Sequence, residues 1–63
     1  MIINGEKIEL KELSFVEFIA QKGLKSELIA LELNGRIIPR IEFENTIFKE
    51  NDTAEIVSFV GGG

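Results

Sequence analysis

The sequence predicts an α+β fold in which a mixed sheet of four to five strands curls over one helix. Two Asn-Gly dipeptides, Asn4-Gly5 and Asn34-Gly35, each separate two short apolar runs, as the turns of β-hairpins do. One segment, 15–22, carries apolar residues at helical spacing. Because one amphipathic helix can cover one face of a sheet, these signals together predict a two-layer domain.

The first hairpin is predicted from strands 1–4 and 6–10. A two-residue type I′ turn needs positive φ at both central positions, and Asn4-Gly5 meets that need at low steric cost. We therefore expect the two strands to pair in antiparallel fashion.

The helix over 15–22 is predicted from its capping residues, its apolar spacing and the glycine that follows it. Ser14 and Glu17 have the spacing of a capping box. Gly23 stands where a glycine commonly ends a helix. The predicted core residues on its apolar face are Phe15, Phe18 and Ile19.

The second hairpin joins the most apolar run, 28–33, to residues 36–38 across Asn34-Gly35. The first of these strands is predicted to be central in the sheet. Pro39 has no N–H to donate to a ladder, so the second strand is expected to be short or at a sheet edge. The residues that share one face of the central strand are Ile29, Leu31 and Leu33.

The C-terminal third is harder to assign. Residues 41–50 show no clear pattern, and a turn is predicted at 50–52, where Asn51 tolerates positive φ. The last strand, 53–60, alternates, with Glu55, Val57 and Phe59 on the face opposite Ile56. With the first and last strands adjacent and parallel, the prediction is a β-grasp domain over 1–60, followed by a flexible tail at 61–63.

Composition narrows the classes of function. The chain has 63 residues, 44% of them hydrophobic, which suits one small core better than a deep cleft. Eleven acidic and seven basic residues give a net charge of −4, whereas a nucleic-acid binder needs a basic face. Neither a signal peptide nor a membrane-spanning run is evident, so we expect a cytoplasmic protein with no nucleic-acid or membrane partner.

Side chains suited to catalysis are scarce. The sequence contains no Cys and no His, which removes a thiol nucleophile, the usual general base and the usual metal ligand. Glu42, Glu44, Glu50 and Asp52 lack the regular spacing of a cation-binding loop and are interpreted as a solvated rim. We expect no catalytic residue, no metal site and no bound cofactor.

The sequence ends on Gly61, Gly62 and Gly63 directly after the last predicted strand. Glycine loses much backbone entropy on ordering, so this tail is expected to be flexible. It offers a backbone slim enough for a narrow channel and a carboxylate with no side chain beside it. The two interpretations are a reactive C-terminus and a frayed end.

Two segments carry a family resemblance. Residues 33–40 (LNGRIIPR) are similar to the Asn-x-x-Ile/Val-Val-Pro-Arg stretch of ThiS-type sulfur carrier proteins of thiamin (thiazole) biosynthesis, a ubiquitin-like family. Residues 52–57 and the final glycines are similar to that family's Gly-Asp-x-x-Glu-Ile-Val segment and glycine end, with Asn51 where the pattern has Gly. The resemblance extends over the whole chain.

This resemblance implies a role as a protein co-substrate and not as an enzyme. A separate, E1-like adenylating enzyme would use ATP to activate the carboxylate of Gly63. A sulfur-delivering persulfide enzyme would convert it to a thiocarboxylate, whose sulfur would pass to a thiazole synthase. Gly61 and Gly62 would thread the active sites of these partners, because a Cβ would collide with the channel walls.

Docking to the partners is expected to involve Val57 and Phe59, if neither the sheet nor the loop at 44–50 covers them. Arg36 and Arg40 are further docking candidates, and simple solvation is their alternative interpretation. Two other functions stay open. One is a sulfur carrier for molybdopterin or another acceptor, and the other is a β-grasp interaction module without tail chemistry.

Overall fold

The computed structural model describes residues 1–59, and Val60 and the three final glycines lie outside that range. The described residues form two sheets, with strand orders β2-β1-β7-β4-β5 and β3-β6. The elements in chain order are β1 (Ile2–Ile3), β2 (Glu6–Lys7), β3 (Glu12–Ser14), helix α1 (Phe15–Gln21), a first 3₁₀ helix (Ser26–Leu28), β4 (Ile29–Leu33), β5 (Arg36–Ile38), a second 3₁₀ helix (Arg40–Asn45), β6 (Ile47–Lys49) and β7 (Thr53–Ser58).

The middle strand of the larger sheet is β7. It runs parallel to β1, with Thr53 opposite Ile2, and antiparallel to β4, with Ile56 opposite Leu31. Strands β1 and β2 form one antiparallel hairpin, and β4 and β5 form the other. The predicted parallel pairing of the first and last strands is therefore confirmed, and with it the β-grasp arrangement over α1.

Both predicted hairpin turns have the backbone geometry that type I′ turns require. The φ angles are 52° at Asn4 and 80° at Gly5, and 53° at Asn34 and 86° at Gly35. All four values lie in the left-handed region, where asparagine is the best tolerated residue after glycine. The two Asn-Gly signals are confirmed.

The first hairpin is shorter than the predicted strands 1–4 and 6–10. Each strand has two residues, and the N–H of Ile8 then donates to the carbonyl of Met1 at 2.8 Å. Beyond Ile8 the chain leaves this sheet and enters β3 in the other one.

The helix confirms both of its predicted ends to within one residue. Ser14 accepts a hydrogen bond from the N–H of Glu17 at 3.4 Å, as an N-cap does. At the other end, Gly23 has φ 72° and donates to Ala20, while the next N–H donates to Ile19. These two bonds are those of a Schellman motif, so the helix stops at a glycine for the predicted reason.

The unassigned region 41–50 contains the second 3₁₀ helix and β6. Strand β6 pairs with β3 through Leu13 opposite Phe48. The ring of Phe15 meets that of Phe43 edge-on at 4.8 Å between centroids, and that of Phe48 at 5.7 Å. This region therefore supplies two aromatic rings to the core beneath α1.

The turn between β6 and β7 is closed by Asp52 and not by a left-handed Asn51. Positive φ among the described non-glycine residues occurs at Asn4 and Asn34, so the expectation for Asn51 is wrong. The backbone N–H of Asp52 donates to the carbonyl of Lys49 at 3.0 Å, and its carboxylate accepts from the N–H of Lys49 at 2.8 Å. Asp52 is therefore a structural residue and not part of a solvated rim.

The core lies between the larger sheet, α1 and the second 3₁₀ helix. Alternation along β4 is confirmed, because Ile29 and Leu31 are buried and Leu33 packs against them. Phe18 is only partly buried, at the margin of the core. Within residues 1–59, no helix combines the length and hydropathy needed to cross a bilayer. The buried apolar residues are Met1, Ile3, Phe15, Ile19, Ile29, Leu31, Ile38, Phe43, Phe48 and Ala54.

Replacing the fully buried Phe48 by alanine tests this core. The variant F48A is expected to lose about 3–5 kcal/mol of unfolding free energy, because it removes a ring and leaves a cavity. A core of this size rarely supplies more than roughly 5 kcal/mol of unfolding free energy. A large fraction of the variant molecules should therefore be unfolded even without denaturant. Urea titration followed by circular dichroism measures the loss.

The matched control is F59A, because Phe59 is 65% exposed. Its unfolding free energy should stay within roughly 0.5 kcal/mol of the parent value. Similar losses in the two variants would contradict the assignment of Phe48 to the core.

Candidate functional site

The candidate site begins with β7, because this strand leads to the predicted glycine tail. The N–H of Phe59 donates to the carbonyl of Leu28 at 2.8 Å, which extends the pairing with β4 past the end of β7. The last described residue is therefore still attached to the sheet. The tail residues Gly61, Gly62 and Gly63, and the predicted domain boundary after residue 60, lie outside the described residues and stay predictions.

Asn34 ties the second hairpin turn to the start of β7. Its backbone N–H donates to the carbonyl of Thr53 at 2.8 Å, and its side-chain oxygen accepts from the N–H of Thr53 at 2.9 Å. Its side-chain nitrogen donates to the carboxylate of Asp52 at 2.9 Å. One side chain thus joins the β4–β5 turn to the β6–β7 turn.

Asn4 ties the first hairpin turn to the same strand. Its N–H donates to the carbonyl of Ala54 at 2.9 Å, and its side-chain oxygen accepts from the N–H of Ile56 at 2.7 Å. In a parallel ladder the main-chain carbonyl of a residue in this place would accept the second bond. The side chain of Asn4 therefore continues the ladder while its main chain turns away.

The sequence signal for these bonds is the choice of residue inside the turns. Gly-Gly also forms type I′ turns, but it offers no side-chain acceptor. Sequence reasoning identified both asparagines as turn residues and missed their contacts with β7, because those contacts connect positions 4 and 34 to a strand that begins at Thr53.

The face of the larger sheet that points away from α1 is here called the outer face. Val57 and Phe59 lie on it, with exposed fractions of 56% and 65%. Ile37 of β5 is also on this face and is 65% exposed. Val57 stands opposite Ala30 of β4, whose small side chain leaves it open to solvent. Within the described residues neither the sheet nor the loop at 44–50 covers Val57 and Phe59.

The two arginines predicted as docking candidates lie elsewhere. Arg36 alternates with Ile37 along β5, and its guanidinium lies 3.8 Å from the carboxylate of Glu42. Both side chains of this pair are largely exposed, so the pair contributes little to stability. Arg40 begins the second 3₁₀ helix and lines a surface groove of about 540 Å³ beside α1. The structure thus brings Val57 and Phe59 together and places neither arginine beside them.

Among residues 1–59, no three Asp, Glu, His or Cys side chains converge as they would around a metal ion. The described part of this region consists of an exposed apolar patch and the end of a strand. Phe59, the last residue of that patch, lies two positions before Gly61 in the sequence.

Comparison with known proteins decides the family. A family model described as the ThiS family matches residues 1–63. The chain belongs to the ThiS family. Its β-grasp fold is therefore that of a ubiquitin-like protein, and the chain is a small sulfur carrier of thiamin biosynthesis and not itself a catalyst.

Two solved structures resemble this ThiS-family chain. A crystal structure of a thiamine biosynthesis protein (ThiS) from Geobacter metallireducens is 32% identical, with a TM-score of 0.72, and the match covers 98% of this chain and 96% of that one. An NMR solution structure of a thiamine biosynthesis protein from the same organism is 29% identical, also with a TM-score of 0.72, over 98% and 85% of the two chains.

Curated relatives extend the comparison. An uncharacterized protein ycf40 of Porphyra purpurea is 36% identical over 62 residues, which are 97% of this chain and 87% of that protein. A thiazole synthase of Paramagnetospirillum magneticum is 33% identical over 64 residues, which cover all of this chain but 20% of that longer protein.

The asparagine contacts predict opposite rankings for the same substitutions at the two turns. At position 4, N4D keeps an oxygen acceptor for the N–H of Ile56, whereas N4G keeps positive φ but loses about 1 kcal/mol of hydrogen bonding. N4D should therefore lower the unfolding free energy less than N4G does. At position 34, N34D places a second carboxylate beside that of Asp52, so it should lower the unfolding free energy more than N34G does. Unfolding free energies from urea titration of the four variants measure both rankings.

Equal rankings at the two turns would contradict this assignment. N4G and N34G serve as the controls for backbone strain, because glycine adopts the φ values of both positions without cost.

Proposed function

We propose that the carboxylate of Gly63 is the sulfur-carrying group of this protein. A carboxylate oxygen attacks the α-phosphorus of ATP in a separate adenylating enzyme, and pyrophosphate leaves. The sulfur of an enzyme persulfide then attacks the carbonyl carbon of the adenylate, and AMP leaves. A thiol breaks the resulting sulfur–sulfur bond, so that the thiocarboxylate stays on Gly63 and a disulfide is released.

The observation that carries this proposal is the extent of the family match, which runs to Gly63 and includes the glycine end. Chemistry adds support. A carboxylate is a poor acyl donor until it bears a good leaving group, and the chain has neither Cys nor His to activate it. The activation therefore requires a partner enzyme, and ATP is consumed there and not bound by this chain.

The acceptor of the sulfur is proposed to be a thiazole synthase. The similarity to a thiazole synthase over the whole of this chain supports this choice over a molybdopterin-forming acceptor. In that relative, a segment similar to this chain is part of a longer protein with that name.

Val57 and Phe59 are proposed as part of the surface that docks the adenylating enzyme. They are exposed, lie on one face and immediately precede the segment that the enzyme has to enclose. Buried aromatic and aliphatic anchors supply much of the affinity of such contacts. Arg36 and Arg40 stay docking candidates for a partner that contacts the edge of β5 or the groove beside α1.

Intact-mass measurement tests the tail chemistry. Incubation with ATP, the adenylating enzyme and a persulfide source should raise the mass by the exchange of one oxygen for one sulfur, confined to the C-terminal peptide. Adding one alanine after Gly63 should abolish the exchange and leave the unfolding free energy unchanged. An extended chain that still gains sulfur would contradict the proposal. A parent chain that never gains sulfur would also contradict it, and that result is expected of an interaction module without tail chemistry.

Steady-state kinetics of adenylation test the docking surface. V57A and F59A should each raise the KM for this protein roughly tenfold and leave kcat unchanged, because they remove contacts that do not change during the reaction. L10A is the matched control, since Leu10 is 47% exposed but lies between β2 and β3, outside both the outer face and the groove beside α1. A KM that rises equally in L10A would show that general surface hydrophobicity, and not this face, governs docking.

A further inference from the structure

Two glutamates stand side by side within the apolar outer face. The pairing of β4 with β7 sets Glu32 directly opposite Glu55, and the pairing of β4 with β5 sets Ile37 on the other side of Glu32. Val57, two residues after Glu55, is the next side chain on the same face of β7. The pair of carboxylates therefore lies between two exposed apolar side chains.

This arrangement sets two like charges opposite each other. Side chains directly opposite each other in antiparallel strands have Cβ atoms about 5 Å apart, and like charges in such a pair repel. Among residues 1–59, ion pairs join Lys7 to Glu9, Arg36 to Glu42 and Lys49 to Glu12, and none includes Glu32 or Glu55.

The smaller sheet shows the ordinary solution to the same geometry. There Glu12 stands directly opposite Lys49, and their charged atoms are 2.9 Å apart. The larger sheet has the equivalent cross-strand position but two acidic side chains. A departure from this favourable pairing is typical of residues kept for another role.

We infer that Glu32 and Glu55 together receive one arginine or lysine of the adenylating enzyme, whose apolar side chains cover Val57 and Ile37 around it. This inference rests on the proposed function and names the chemistry of its docking partner. Arginine suits the place better, because its planar guanidinium has five donors and can bridge two carboxylates. The apolar contacts around it would exclude water and strengthen the attraction.

The charge of the whole chain favours the same partner. A net charge of −4 attracts a basic surface during diffusional encounter. The carboxylate pair then supplies a local, directional contact at the centre of an otherwise apolar face. Both effects weaken as salt concentration rises.

Kinetics of adenylation with charge-neutralised variants test the inference. The double variant E32Q/E55Q should raise the KM for this protein about tenfold, leave kcat unchanged and reduce the dependence of kcat/KM on salt. The melting temperature of the free variant should be unchanged or higher, because a repulsion is removed. The control E17Q removes a charge from α1, on the other side of the sheet, and should change none of these. The N-cap bond to Ser14 uses the backbone N–H of residue 17, so the substitution preserves it.

The variant E55K separates docking from folding. It recreates in the larger sheet the Glu–Lys pairing of the smaller one, so it should raise the melting temperature yet lower kcat/KM more than E55Q does. A lower melting temperature for E32Q/E55Q would overturn the inference, because the pair would then be structural.

Two further outcomes would also overturn it. An unchanged KM and salt dependence in E32Q/E55Q, measured while F59A still weakens docking, would reject the cation contact and leave the proposed function intact. A loss confined to the transfer of sulfur to thiazole synthase would assign the contact to the wrong enzyme. Failure of the proposed function itself is recognised separately, since the parent chain would then acquire no sulfur.

Discussion

The position of β7 between β1 and β4 is the constraint on which the rest of the structure depends. Its backbone bonds to both neighbouring strands, and it also receives the side-chain oxygens of Asn4 and Asn34. Each hairpin is therefore attached to β7 twice, by its strand and by its turn. The strand that leads to the glycine end is in this way the most tightly connected part of the sheet, although its outer face is exposed.

Much of this fold could be predicted because its signals are local. The N-cap at Ser14, the helix stop at Gly23 and the two Asn-Gly turns each depend on a few consecutive residues, and the structure confirms all of them. Strands β3 and β6 could not be predicted in this way. Each has three residues, too few for a period, and their pairing of Leu13 with Phe48 becomes apparent only after the chain has folded.

The candidate site likewise combines features that local sequence predicts with features that depend on the folded chain. The exposure of Val57 and Phe59 follows from alternation along one strand, and the structure confirms it. The meeting of Glu32 with Glu55 depends on the register between two strands distant in sequence, so no local pattern indicates it. The face of β5 on which Arg36 lies also follows from alternation, whereas its ion pair with Glu42 depends on a segment without a recognisable pattern.

The short edges of the larger sheet have a consequence for solubility. Its outermost strands, β2 and β5, have two and three residues, and Pro39 follows β5 directly. Unpaired strand edges are templates for aggregation, and short edges that end at a proline offer few free N–H and C=O groups to an incoming strand. An apolar sheet face can thus remain open for reversible contacts while edge-to-edge growth into larger assemblies is disfavoured.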